Sequence, residues 1–262
     1  MSDGARLLGR TAVVTGGGRG IGEAVARRLA GAGAPVLVAA RTRAEVESVA
    51  ASIRDEGGQA WAAECDVTDE ASVEALAAEA RTQLGRVDIL VNNAGAAGSA
   101  PLVRTTREEW DRLLAVNATG AFLCTRAFLP EMLEGEWGRV VNVASVAGLH
   151  GARYIAAYAA SKHALIGLTR AAAAEVAGKG VTVNAVCPGY VDTAMTDESV
   201  ARIVEKTGRT EEEARAAIVG STPLGRLITP DEVADAVVYL CGDAAGGVNG
   251  QALVLDGGAL QA

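Results

Sequence analysis

Aromatic side chains make up 3% of the 262 residues, only two histidines are present, and acidic residues outnumber basic ones 32 to 24, for a formal net charge of −8. A chain of that sign lacks the basic surface that nucleic acid or an anionic membrane demands, so neither is an expected partner. The four cysteines, Cys65, Cys124, Cys187 and Cys241, show no CxxC or zinc-like spacing. They read as lone buried thiols, and no metal site is expected. No apolar run approaches the ~18 residues of a membrane span, and the opening MSDGARLLGR is too polar for a signal peptide. A soluble, cytoplasmic protein is the expectation. What abounds is small: half the chain is apolar and 32 residues are glycine, against a usual ~7%. Such a chain builds its core from Ala, Val, Leu and Ile and turns tightly. At ~150 residues per domain the length suits one large domain or two cramped ones, and the lack of any linker or repeat favours one domain over 1–262.

Short Val-rich runs at 11–14, 36–40, 60–65, 89–91, 140–143, 181–186 and 252–255 alternate with longer amphipathic stretches. The runs suit strands buried on both faces, as in a parallel sheet. Helices are expected over 22–32, 43–56, 70–84, 108–133, 156–177 and 231–241. Asp66-Val-Thr-Asp69 would cap the third, and Thr229-Pro230-Asp231-Glu232 would start the last with Pro and acids in its first turn. Repeated strand–helix alternation implies an α/β fold, a doubly wound parallel sheet flanked by helices. The exception is 190–223, where Thr210 with Glu213 forms a capping-box pattern and 200–205 suits a second short helix. This segment reads as a flap over a cleft, with a plain surface insertion as the bland alternative.

The first strand runs into Thr15-Gly-Gly-Gly-Arg-Gly-Ile-Gly22, and a helix follows. Glycines there let the backbone approach a pyrophosphate, while free N–H groups of the helix start favour its charge. A glycine-rich packing turn is the alternative. The position right after the first strand points to a dinucleotide. After the second strand stands Ala40-Arg41-Thr42-Arg43, with no carboxylate to grip a ribose diol. Arg41, helped by Arg19, would bind a 2′-phosphate with a charge-assisted fork, so NADP(H) is preferred and NAD(H) stays possible.

Tyr158-Ala-Ala-Ser-Lys162 sets a phenol and an ammonium four apart on one helical face. A phenol with pKa near ~10 becomes usable near neutrality if a held ammonium favours its ionised form. It would then give a proton to a carbonyl or take one from an alcohol. Chance placement on an amphipathic helix gives the same spacing. Tyr154, one turn earlier, reads as a pocket wall.

Taken in order, TGGGRGIG, Asn92-Asn93-Ala94-Gly95 after the fourth strand, Ser145 after Asn142-Val-Ala, Tyr158-Ala-Ala-Ser-Lys162 and Cys187-Pro188-Gly189 after the sixth strand resemble the classical short-chain dehydrogenase/reductase family, over about 9–258. The resemblance implies a Rossmann-type fold and hydride transfer between a nicotinamide and a ketone or secondary alcohol. Tyr158 would be the general acid/base. Lys162 would hold the nicotinamide ribose and bias the phenol toward ionisation. Ser145 would hydrogen-bond the substrate carbonyl oxygen, and Asn117 would hold a water joining Lys162 to solvent. Gly16, Arg19, Gly20, Ile21, Gly22 and Arg41 would meet the phosphates, and Asp66 and Val67 the adenine. Asn93, Ala94 and Gly95 would pass beneath the adenine ribose. Pro188, Gly189, Val191 and Thr193 would join Tyr158 and Lys162 around the nicotinamide.

Leu149, His150, Ala152, Tyr154, Tyr190 and Met195 would line a mainly apolar cleft, with His150 as a polar handle and His163 structural. The flap region is similar to β-ketoacyl thioester reductases and aromatic-polyketide ketoreductases, which implies a 3-oxoacyl group on acyl carrier protein or coenzyme A, or a polyketide ketone. Arg104, Arg107 or Arg153 would serve an acidic carrier protein. A secondary-alcohol dehydrogenase acting on free ketones is the alternative enzyme. A nucleotide-binding regulatory protein without turnover is the alternative of another class, disfavoured because it needs no Ser145, Tyr158 and Lys162 together. The resemblance also implies a homotetramer, paired through the 108–133 and 156–177 helices and near the last strand.

Overall fold

The computed structural model describes residues 7–260. Seven strands, β1 (Ala12–Thr15), β2 (Val36–Ala40), β3 (Ala60–Glu64), β4 (Ile89–Asn92), β5 (Gly138–Val143), β6 (Val181–Pro188) and β7 (Ala252–Leu255), form one sheet in the order 3-2-1-4-5-6-7. Every neighbouring pair is parallel. The Val-rich runs of the inner strands form because both faces are covered; β7, at the sheet edge, departs from that expectation with Leu253 and Val254 exposed. Along β1, Val14 joins the core on one face and Val13 the core on the other. On the first face the sheet packs against α1 (Gly20–Gly31), α2 (Arg43–Asp55) and α9 (Pro230–Cys241) through residues such as Leu29, Val46 and Val237. On the second, α3 (Glu70–Leu84), α5 (Gly120–Glu134) and α6 (Ala156–Val176) supply Leu76, Phe128 and Val176. The chain reverses its progress across the sheet between β1 and β4, the switch point outside whose strand ends α/β sheets bind ligands.

The expected helix over 108–133 is α4 (Arg107–Leu114) and α5 joined by a π-helical turn, Ala115–Thr119. The wide turn lies where Asn117 is drawn sideways into hydrogen bonds with Ala96, a local strain that π-turns absorb. The whole 28-residue stretch, Arg107–Glu134, is long and apolar enough by composition to cross a membrane, although no uninterrupted apolar run within it is that long. Its Leu113, Leu123, Cys124, Phe128 and Met132 are buried within the protein.

Helix α6 is held in azimuth by polar groups as well as by packing. Asn92 Nδ2 donates to Asn142 Oδ1 (2.8 Å), Asn142 Nδ2 to Thr169 Oγ1 (2.8 Å), and Thr169 Oγ1 to the Leu165 carbonyl (2.8 Å). All three side chains are buried, so breaking this ladder would strand donors in the core. The result is a fixed rotation of α6 against the ends of β4 and β5. At the other edge, α7 (Ala194–Thr207) and α8 (Glu211–Gly220) occupy the 190–223 segment. They pack on each other through Val200, Ala214 and Ile218. The Thr210–Glu213 and Thr229–Glu232 capping boxes both form, and Asp69 caps α3 by accepting from the Ala71 amide.

Candidate active site

Gly16 and Gly20 take left-handed backbone (φ 62° and 57°), which glycine adopts without steric cost. Gly22 is required for a different reason. A Cβ on it would lie 2.2 Å from the Gly16 carbonyl oxygen and 2.4 Å from Asn93 Nδ2. That amide nitrogen donates to the carbonyls of Thr15 (3.0 Å) and Gly16 (2.9 Å). Thr15 Oγ1 in turn accepts from the amides of Asn93 (3.1 Å) and Ala94 (3.2 Å). The glycine turn and the Asn92–Gly95 segment are therefore one bonded unit at the switch point, with the N-terminus of α1 opening onto it.

Just beyond β3, Asp66 Oδ1 accepts from the Thr68 amide (2.9 Å) and hydroxyl (2.7 Å). The Thr68 amide above all, with the Arg41 charge adding, holds this carboxyl below the ordinary range. It is ionised at neutral pH. Val67 is buried beside it. Arg43 is paired with Glu47 (3.1 Å). Among the described residues Arg41 and Arg19, both exposed, have no ion pair, so their guanidinium groups are uncommitted.

The residues expected to do chemistry converge at the ends of β5 and α6. Ser145 caps the short 3₁₀ turn Val146–Gly148, its hydroxyl accepting from the Ala147 amide (3.1 Å). The same hydroxyl lies beside the Tyr158 phenol and favours its ionised form. Lys162 Nζ donates to the Val143 carbonyl (2.9 Å) and lies 5.9 Å from the Tyr158 ring centroid. A Cβ on Gly95 would stand 3.6 Å from that ammonium, so the Asn92–Gly95 loop and the Tyr158–Lys162 pair share one wall. Burial pushes the ammonium down to about 8.

The phenol departs from the sequence expectation. Burial raises it above its ordinary value, Ser145 opposes the rise, and nearby Tyr190 and Cys187 add to it. The Lys162 ammonium is turned to a backbone carbonyl, donating to Val143 O (2.9 Å), with the phenol ring centroid 5.9 Å away. A raised phenol holds its proton at neutral pH and is a donor, the state a carbonyl reduction needs. Asn117 is tied down by its side chain: its Oδ1 accepts from Ala96 N (2.8 Å), and its Nδ2 donates to Ala96 O (2.9 Å) and Ser161 Oγ (2.9 Å). One Oδ1 lone pair remains to take a water.

Pro188 ends β6, and the Gly189 amide donates to the Leu255 carbonyl (2.9 Å). Val191 is buried and bridges to Ile228, pinning the start of the 190–223 segment. Thr193 precedes α7, with its methyl 3.3 Å from where a Gly20 Cβ would be. The segment thus lies against the glycine turn. α7 runs over 194–207, longer than the 200–205 helix the pattern suggested. Tyr154, Tyr190 and Met195 are exposed, and Leu149 and His150 are half-buried. His150 Nδ1 meets the Gly151 carbonyl (3.0 Å), and His163 Nδ1 meets the Ala159 carbonyl (2.9 Å). Sequence reasoning missed Thr15, Ser161 and the Val143 carbonyl. The two hydroxyls stood inside motifs already singled out, and a polar residue at an otherwise buried position was the available signal.

The family model for short chain dehydrogenase matches residues 10–203. A protein of Streptomyces virginiae named as a ketoacyl reductase of the monensin polyketide synthase is 42% identical over 251 residues, 95% of this chain and 96% of that protein. The 3-oxoacyl-[acyl-carrier-protein] reductase of Thermotoga maritima is 35% identical over 253 residues, 97% of this chain and 98% of the other. The crystal structure of a variant actinorhodin polyketide ketoreductase with NADPH superposes with a TM-score of 0.93 at 40% identity, covering 95% of this chain and 97% of that one. With the family model spanning most of the sequence and these relatives covering nearly all of it, the chain belongs to the short chain dehydrogenase family.

Proposed function

We propose that this enzyme is an NADPH-dependent reductase of a 3-oxoacyl thioester or polyketide ketone. The observation that carries the reading is the meeting of Ser145, Tyr158 and Lys162 on one wall with Gly95 and the glycine turn. The residues present fit the dinucleotide. Gly16, Gly20, Ile21 and Gly22 open α1 beneath a cradle that a Cβ would fill. Asp66 is ionised with Oδ2 left over for the adenine amine, Val67 lies beside it, and Asn93, Ala94 and Gly95 underlie the ribose. The uncommitted Arg41 and Arg19 suit a 2′-phosphate. Pro188, Gly189, Val191 and Thr193 flank the nicotinamide end beside Lys162.

Bound NADPH supplies the hydride. Tyr158 passes its phenolic proton to the carbonyl oxygen as the carbonyl carbon is reduced, and Ser145 donates to that same oxygen. The chain's part is placement, which turns a collision into a local event. The 190–223 segment acts as the flap of a single domain. An acidic carrier protein would meet the rim where the Ala100 amide donates to the Tyr154 carbonyl (2.7 Å). That bond brings exposed Arg153 beside the turn carrying Arg104 and Arg107. Assembly as a homotetramer is supported by the exposed edge residues Leu253 and Val254 of β7 and by Phe122 on α5.

The test is NADPH consumption with acetoacetyl-coenzyme A beside simple ketones, repeated with NADH, for the wild type and Tyr158→Phe. Turnover confined to NADPH and lost in the variant, with cofactor still bound, is the expected result. Wild-type turnover by Tyr158→Phe would overturn the mechanism. Equal rates on free ketones would favour the carrier-independent alcohol dehydrogenase.

A further inference from the structure

Ser161 lies three residues after Tyr158 and directly before Lys162, and it is fully buried. Its hydroxyl donates to the Tyr158 main-chain carbonyl (2.7 Å) and accepts from Asn117 Nδ2 (2.9 Å). A serine that merely bonds back along its own helix is common. This one is different because the second partner belongs to another element, the π-turn. The direction of the chain of bonds is fixed. Asn117 faces both the amide and the carbonyl of Ala96, so Oδ1 must meet the N–H and Nδ2 the oxygen. The remaining Nδ2 hydrogen is thereby aimed at Ser161, whose single proton must go to Tyr158. A hydroxyl offers one donor and two acceptor sites, and both functions are in use at this position.

We propose that Ser161 is a positioning residue for the reaction, fixing the first turn of α6, and with it Tyr158, to the loop at Gly95–Ala96 through Asn117. The inference rests on the proposed role of Tyr158. Ala96 follows Gly95, the residue beside the Lys162 ammonium. One continuous set of hydrogen bonds therefore runs from the loop at Gly95–Ala96 to the backbone of the proton donor. Its effect is on aim, not on affinity, because the Ser161 hydroxyl is fully buried and Asn117 has only one Oδ1 lone pair left over.

Steady-state kinetics of Ser161→Ala, with NADPH affinity and melting temperature measured alongside, tests this. Ser161→Ala is expected to lower kcat about 10–100-fold, the scale of a small misplacement of a reacting group. KM for the ketone and Kd for NADPH should stay within about two-fold, because the bonds to the ligands are elsewhere. Ser161→Thr, which retains the hydroxyl, should recover most of the lost kcat. Should the alanine variant not fold, Ser161→Cys carries the test, being similar in shape with a much weaker donor. A wild-type kcat in Ser161→Ala or Ser161→Cys overturns the proposal. So does a variant that loses KM and kcat together, which would mark a general loosening of the site. Tyr158→Phe, measured in the same series, keeps the two claims apart. If it is inactive while Ser161→Ala is normal, only the role of Ser161 fails; if it is fully active, the Tyr158 mechanism itself fails.

Discussion

The Lys162 ammonium donates to the carbonyl of Val143 at 2.9 Å, tying the second turn of α6 to the last residue of β5. The bond satisfies one of the three donors of a buried cation. Burial still costs the charge, which is why the ammonium is pulled down to about 8 while the phenol is raised. The two shifts set the pH dependence. Tyr158 keeps its proton throughout the neutral range, so ketone reduction does not fall for want of a donor. Lys162 loses its charge as pH rises through about 8. The rate of reduction should therefore be level below pH ~7 and decline above 8, and Lys162→Gln should remove both that limb and most of the rate. A kcat/KM profile from pH 6 to 10 checks this; a level profile to pH 10 would show that the lysine charge is not needed.

Cofactor choice turns on which arginine is free. Arg43 is paired with Glu47 at 3.1 Å, whereas Arg41 has no such pairing among the described residues and its charge reaches Asp66. A hydrogen bond to a charged group contributes roughly 1.5–3 kcal/mol, so Arg41→Asp should weaken NADPH about 10–100-fold. NADH should gain relative to NADPH. Arg43→Asp should change far less, because the charge removed already has a partner. Kd values for both dinucleotides in both variants decide it, and an unaltered NADPH Kd in Arg41→Asp removes that residue from the site.

The inner strands were legible because a parallel sheet buries both their faces and so demands runs of Val and Ala, as in β2; β7 ends where its apolar run ends but is an edge strand with exposed side chains. The helix starts were legible because Asp69, Thr210 and Thr229 announce themselves chemically. What escaped depends on partners distant in the chain. The π-turn at Asn117 is imposed by Ala96, 21 residues away, and nothing in Val116-Asn117-Ala118 signals it. The first turn of α7 has no apolar repeat and no side-chain cap. It is fixed by Thr196, whose hydroxyl donates to the Val191 carbonyl (2.6 Å). The direction of the phenol's shift follows from burial, which a Tyr–Lys spacing cannot report.

The glycine turn admits a sharper test than loss of cofactor alone. A methyl group at residue 22 would stand 2.2 Å from the Gly16 carbonyl oxygen, where backbone has nowhere to move without breaking the Asn93 bonds. Gly22→Ala should cost about 1–3 kcal/mol of stability, as overpacked sites do, and abolish dinucleotide binding. Gly31→Ala, at the far end of the same helix with open space around its Cβ, should instead stabilise by up to ~1 kcal/mol and leave binding untouched. Urea unfolding with dinucleotide titration separates the two, and a Gly22→Ala protein of normal stability and affinity would show that the close approach is relaxed in solution.

The buried thiols set the alkaline limit of the fold. Burial pushes Cys124 and Cys241 up to about 12 and Cys187 to about 11 from 9.0. Above pH 9 the unfolded chain releases these protons while the folded chain keeps them. The unfolded state then binds fewer protons, and stability falls as pH rises. Their contribution is complete below pH 9 and is lost progressively toward 12. Lys162 acts the other way between about 8 and 10.5, where the unfolded chain holds the proton that the folded one has released. Three thiols against one ammonium leave a net decline. Urea midpoints at pH 8, 9.5 and 10.5 should therefore fall, and Cys241→Ala should flatten the slope even though it lowers the starting value by opening a cavity. Because Cys241 packs in the core at the end of α9, away from Tyr158, the rate of reduction at pH 7 should be unaffected by the same substitution. A slope unchanged by Cys241→Ala would mean that the alkaline loss has another origin.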